Sequence, residues 1–211
     1  MERDEAIARL RLLRGTDLVA LASQLEVGIL GASGKKNKGW AGHTLEAYLE
    51  LPRNSSRAPN FGSWELKSVS LKRAGGGLRV KETMAITMLD PREVALKTFY
   101  ESHLYTKLRK LLIVVRIWEN LQETSSEFVG VYPFDLDDHV FLSQIEADYE
   151  LIRSNVLQGR PLSGAMGTYI QPRTKGAGGS AAKTRAFYAR ASFVRHVIAS
   201  AEENGQGLVL V

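Results

Sequence analysis

Pro59-Asn60-Phe61-Gly62-Ser63-Trp64-Glu65-Leu66-Lys67 is the stretch on which the fold turns. A strand is expected from Trp64 to Leu71, and its period of two sends Glu65 and Lys67 off the same face. A carboxylate beside an ammonium can hold a divalent cation and polarise a water. Hydrolysing a phosphodiester means placing a hydroxide against an anion and stabilising the leaving oxyanion, and divalent metals do both. Hard cations such as Mg²⁺ take oxygen ligands and keep several waters. Glu65 and the Leu66 carbonyl are the candidate ligands, with Lys67 to orient the water or steady the transition state. Five residues before Glu65 stands Asn60. Its amide oxygen is a ligand without charge. Most acid-x-Lys pairs are surface ion pairs, so this one does not decide the chemistry alone.

Outward from this stretch the chain reads as α/β, a mixed central sheet flanked by helices. Upstream, Ala6, Ile7, Leu10 and Leu13 follow helical spacing, and Gly15 ends that helix. Thr16 or Asp17 caps a second helix carrying Leu18, Leu21 and Leu25. A third is expected from Trp40 to Leu49. Downstream, Gly75-Gly76-Gly77 marks a turn, and Thr83 to Leu89 a strand ended by Asp90-Pro91. The run Leu111 to Val115 suits a strand buried on both faces. Leu142, Ile145, Tyr149, Ile152 and Val156 mark an amphipathic helix stopped by Gly159. Thr168 to Gln171 is a short strand, 174–183 a loop, and a last helix starts near Ser192. One domain over 1–211 is expected, with a catalytic lobe mainly in 1–120 and a second lobe mainly in 130–200.

The 211 residues suffice for one well-packed domain. No apolar run approaches the roughly 20 residues of a membrane span. The acidic start, Met1 to Glu5, lacks a signal-peptide layout, and a cytoplasmic protein is expected. Cysteine is absent, which excludes disulfides and thiolate metal sites. The net charge of +5 is unevenly spread. From Ile117 to Ile152 there are nine acids and no Lys or Arg, whereas Gln171 to Ser200 holds six Lys and Arg and no acid. Leu66 to Lys81 is purely basic. Such segregation suits one face turned to a polyanion. The acidic stretch is expected on the opposite face or against a protein partner.

Several motifs, in order, resemble the MutH/Sau3AI nucleases, including the MvaI and BcnI restriction enzymes. They are Lys38-Gly39-Trp40-Ala41-Gly42-x-x-Leu45-Glu46, Pro59-Asn60-Phe61, Trp64-Glu65-Leu66-Lys67 and Glu82-Thr83. They continue with Ser102-His103-Leu104-x-x-Lys107-Leu108-Arg109-Lys110, then Tyr169 to Gly176, and Phe187-Tyr188. The resemblance implies a restriction-endonuclease-like (PD-(D/E)xK) core, two lobes around a DNA cleft, and cutting of double-stranded DNA with Mg²⁺ or Mn²⁺. It places Glu46 beside the site, Asn60 on the first catalytic aspartate, Glu65 on its acidic partner and Lys67 on the lysine. The short interval from Asn60 to Glu65, and Trp64 in place of a small or aliphatic residue, favour the restriction branch. Asn60, an introduced or a natural departure, is expected to weaken metal binding and cutting.

Arg173 and Lys175 match positions where the family approaches its recognition sequence, and an arginine can grip guanine O6 and N7 with two hydrogen bonds. Tyr188 matches a position near the target base. Lys38, Lys107, Arg109, Lys183, Arg185 and Arg190 are expected on phosphates, which give register without sequence information. His43 and His103 are candidates for supporting roles behind the ligands; His139 and His196 are expected to be structural or exposed. Three functions compete. The first is a type II restriction endonuclease with a cognate methyltransferase. The second is a mismatch-repair nicking enzyme with a MutL-like activator, and the third a DNA-binding module that has lost catalysis.

Overall fold

The computed structural model describes residues 1–31, 34, 37–51, 62–137, 140–175 and 184–201. The expectations for Asn60, His139, Lys183 and the glycines at 176–179 lie outside them. In chain order, α1 (Arg3–Arg11), α2 (Leu18–Gln24) and α3 (Trp40–Tyr48) precede β1 (Glu65–Ala74), β2 (Gly77–Val80) and β3 (Met84–Leu89). Then come α4 (Pro91–Leu96), α5 (His103–Leu108), β4 (Lys110–Ile117), β5 (Phe128–Asp135) and α6 (Leu142–Leu157). The described part closes with β6 (Ile170–Thr174), β7 (Arg185–Ala189) and α7 (Ala191–Ala201).

The larger sheet has the order β2-β1-β4-β5. β1 and β4 run parallel with Glu65 opposite Leu111, while β2 pairs antiparallel with β1 and β5 with β4. The mixed sheet expected from the sequence is therefore present. A parallel pair needs a long crossover, and β3, α4 and α5 lie within it. β1 turns into β2 through Gly75 and Gly76, with Ala74 paired to Gly77. Both glycines have positive φ, 59 and 81, as a two-residue hairpin turn of the favoured twist requires. The second, antiparallel sheet, β3-β7-β6, is one the sequence reading did not separate.

Every residue of β4 from Leu111 to Ile117 is buried, because the strand has a layer on each face. Leu112 and Val114 pack with Leu10, Leu18, Trp40 and Leu45 of the N-terminal helices. Leu111, Ile113, Val115 and Ile117 pack with Leu104 and Leu108 of α5, Phe187 of β7 and Phe193 of α7. β1 obeys the same alternation. Trp64 and Leu66 join the first layer and Val69 and Leu71 the second. The period of two therefore turns Glu65 and Lys67 toward the layer that holds α5 and the second sheet.

Five elements, β2, α4, α5, β5 and β7, escaped the sequence reading, and three of them show the physical reason in their own residues. β5 lies inside the acidic stretch and contains Gly130 and Pro133, both poor strand residues. Pro133 is tolerated because β5 is an edge strand. α4 starts where β3 ends: Asp90 accepts a hydrogen bond from the Arg92 amide at 2.9 Å, and Pro91 occupies the first helical turn. The same Asp-Pro pair that stops a strand thus opens a helix. α5 is a six-residue helix capped by the Ser102 hydroxyl, which accepts from the Tyr105 amide at 3.1 Å.

Candidate active site

Glu65 opens β1 and is 1% exposed, enclosed by the layer that α5 completes. Two ammonium groups meet its carboxylate. Lys67 Nζ lies 2.7 Å from Oε1, a close ion pair, and its side chain keeps 20% exposure. Lys107 Nζ donates a hydrogen bond to Oε2 at 2.9 Å from inside the fold. Lys107 was expected on phosphates. It is instead buried, because Leu104, Lys107 and Leu108 share the inner face of α5. That spacing was visible in the sequence as a lysine on an apolar helical face, and it is the signal that would have found it.

Glu46 is half-buried on α3, whose inner face carries Trp40, Ala41, Thr44 and Leu45 and packs against β1. His43 Nδ1 is 3.4 Å from Asn37 Nδ2, in the turn that starts α3. His103 Nε2 is 3.4 Å from Glu93 Oε1 and so joins α5 to α4. Neither histidine is brought to Glu65 by a described contact. His196 packs its ring against Phe141 and Tyr169, a structural position as expected.

The second sheet gathers the other candidates. Arg173, exposed on β6, donates to the Thr83 hydroxyl at 2.7 Å and lies over the Tyr188 ring at 5.5 Å. Such stacking orients a guanidinium plane. Lys175 Nζ is 3.4 Å from Met88 Sδ, and its amide bonds to the Thr184 carbonyl beside Arg185. Lys38 is exposed before α3.

Two other expected phosphate contacts are held elsewhere. Arg109 Nε lies 2.7 Å from Asp137 Oδ2, on the carboxylate that also accepts from the Tyr105 hydroxyl. The Tyr105 bond, and then Arg109, hold the Asp137 carboxyl below the usual range. Arg190 donates to three loop carbonyls, Gly164, Met166 and Gly167, at 2.9 to 3.0 Å.

Nor is the acidic stretch simply an outer face. Glu123 is buried, accepting from Arg116 at 2.8 Å and from the Trp40 indole at 2.9 Å. Asp148 is buried as well.

The family model described as the DNA mismatch repair enzyme MutH matches residues 49–148. The match spans just under half of the 211 residues and supports a place in the MutH/Sau3AI-like endonuclease family. No curated protein matches it. The matched span of this MutH-like chain takes in β1, with Glu65 and Lys67, and α5, with Lys107. Glu46 and the residues from Arg173 onward lie outside it.

The described residues do not by themselves fit a divalent cation. Among them no three His, Cys, Asp or Glu side chains converge. One carboxylate with two ammonium groups has a formal charge of +1, and both its oxygens already face nitrogen at 2.7 and 2.9 Å. A hard cation needs several oxygen donors and gains most from anionic ones.

Proposed function

We propose that this MutH-like chain is a scaffold for sequence-specific cleavage of double-stranded DNA, built as a type II restriction endonuclease. The observation that carries the reading is the buried carboxylate of Glu65 held between Lys67 and Lys107 on the face of β1 turned toward the second sheet. Lys67 keeps an accessible ammonium to hold a water or a phosphoryl oxygen. Lys107 fixes the carboxylate from behind. Arg173, oriented by Thr83 and Tyr188, is placed to read a base edge. Exposed Lys38, with Arg185 and Lys175, would meet phosphates. Mg²⁺ or Mn²⁺ is the proposed cofactor, with Glu65, the Leu66 carbonyl and residue 60 as ligands and Glu46 beside them. Asn60 withholds the negative charge that the described donors lack. A DNA-associated protein of the cytoplasm, with a cognate methyltransferase, completes this reading.

A second reading, binding without cutting, is favoured by the net positive charge that Lys67 and Lys107 give the described groups at Glu65. Digestion of supercoiled plasmid with Mg²⁺ separates the readings. The Asn60→Asp protein is expected to give linear DNA. A product nicked on one strand, and only with a MutL-like activator present, would mean the mismatch-repair role instead. Tight sequence-specific binding with no cutting by Asn60→Asp would mean a binding protein.

A further inference from the structure

The loop that leads into β6 is pinned by opposite charges on its two sides. Asp148, 2% exposed on α6, takes the amides of Thr168, Tyr169 and Ile170 at 2.7 to 2.8 Å, and its Oδ1 also accepts from Gln144. Arg190, just past β7, takes the carbonyls of Gly164, Met166 and Gly167. Its own amide donates to the Tyr169 carbonyl at 2.8 Å. Between the two sets, Gly167 has φ 75, and a β-carbon there would overlap the Ile170 carbonyl oxygen. A buried carboxylate accepting several amides, facing a fork of guanidinium donors, leaves the segment little freedom to slide. Three residues further along the chain stands Arg173.

We propose that Asp148 and Arg190 are positioning residues for DNA reading. They set the register and depth at which β6 presents Arg173, so their loss reduces sequence discrimination rather than general DNA affinity. This rests on the reading that Arg173 meets duplex DNA. The chemistry favours a geometric role over a direct one. Asp148 is sealed inside the fold, and the described Nε and Nη2 atoms of Arg190 are occupied by protein carbonyls. A bidentate contact to guanine discriminates only when the fork sits in the plane of the base, so a slack strand blunts it while phosphate contacts persist.

The test uses the full-length protein without metal. Wild type first selects its preferred duplex from a randomised library. Affinities for that duplex and for a shuffled one are then measured across a salt series for wild type, Asp148→Asn, Arg190→Lys and Arg173→Ala. Both clamp variants are expected to lower the selected-to-shuffled ratio by ~10-fold or more, as Arg173→Ala does. Affinity for the shuffled duplex and its salt slope should stay close to wild type. Should Asp148→Asn fail to fold by circular dichroism, the milder Arg190→Lys decides alone. An unchanged ratio overturns the proposal. So does a parallel loss on both duplexes, or a salt slope reduced by about one in Arg190→Lys, which marks a phosphate contact. A wild type that selects no sequence removes the reading of Arg173, and the clamp with it. A selective wild type with clamp variants like itself removes the clamp alone.

Discussion

Lys107 Nζ meets Glu65 Oε2 at 2.9 Å across 42 positions of sequence, and both groups are buried. This contact ties the head of β1 to α5 and makes the candidate active site part of the core. Removing one partner of a buried pair leaves an uncompensated charge in low dielectric. Lys107→Met is therefore expected to lower the unfolding free energy by about 3 kcal/mol, the low end of the range because Lys67 remains. Urea denaturation checks it. A variant as stable as wild type, but with weaker salt dependence of DNA binding, would return Lys107 to the surface role that its charge first suggests.

Lys67 touches the same carboxylate but keeps solvent access. Lys67→Met is expected to cost less than about 1 kcal/mol of stability, in keeping with a pair whose cation is still hydrated. In an Asn60→Asp background it should abolish cleavage while leaving DNA binding. Parallel measurements of melting and plasmid digestion would separate the two lysines. Equal effects on stability would contradict the division of roles.

Gly167→Ala attacks the loop before β6. The left-handed backbone alone costs roughly 1–3 kcal/mol, and the added methyl must displace the Ile170 carbonyl. A large drop in thermal stability is expected by calorimetry. A neutral Gly167→Ala would mean the loop has another conformation of equal stability.

Tyr149 gives the alkaline limit. It is fully buried, its hydroxyl donates to the Lys97 carbonyl at 3.0 Å, and burial pushes its pKa from 10 to about 12. Below pH 10 both states hold the proton and the contribution is complete. As pH rises toward 12 the unfolded chain ionises first, so stability falls across that window and is lost through the folded value. Tyr105, raised chiefly by its bond to Asp137, adds to the same slope. Tyr149→Phe should reduce the fall in unfolding free energy between pH 9 and about 12 relative to wild type. An identical pH profile would show that the hydroxyl is not shielded.

Much of the fold could be read because burial leaves a periodic trace. Ala6, Ile7, Leu10 and Leu13 are all core residues, and the run through Val115 is the central strand. Glu65 and Lys67 share the face their spacing predicts, and they meet. What escaped depends on contacts that sequence spacing does not carry. β5 hid in an acidic, glycine- and proline-containing stretch because its partner, β4, supplies the order it lacks. Arg109 and Arg190 look like free cations until Asp137 and three loop carbonyls fold up beside them. Asp148 and Glu123 read as surface charge, yet each sits inside with a set of donors chosen by distant segments.

The most direct test of Glu65 is end-sequencing of a plasmid digested with Mg²⁺ by Asn60→Asp and by Asn60→Asp/Glu65→Gln. The prediction is cutting of both strands at one fixed sequence by the first protein and none by the second, with both still binding the DNA. No cleavage by Asn60→Asp, or equal cleavage by the pair, would contradict the assignment of Glu65 and its two lysines to the reacting centre.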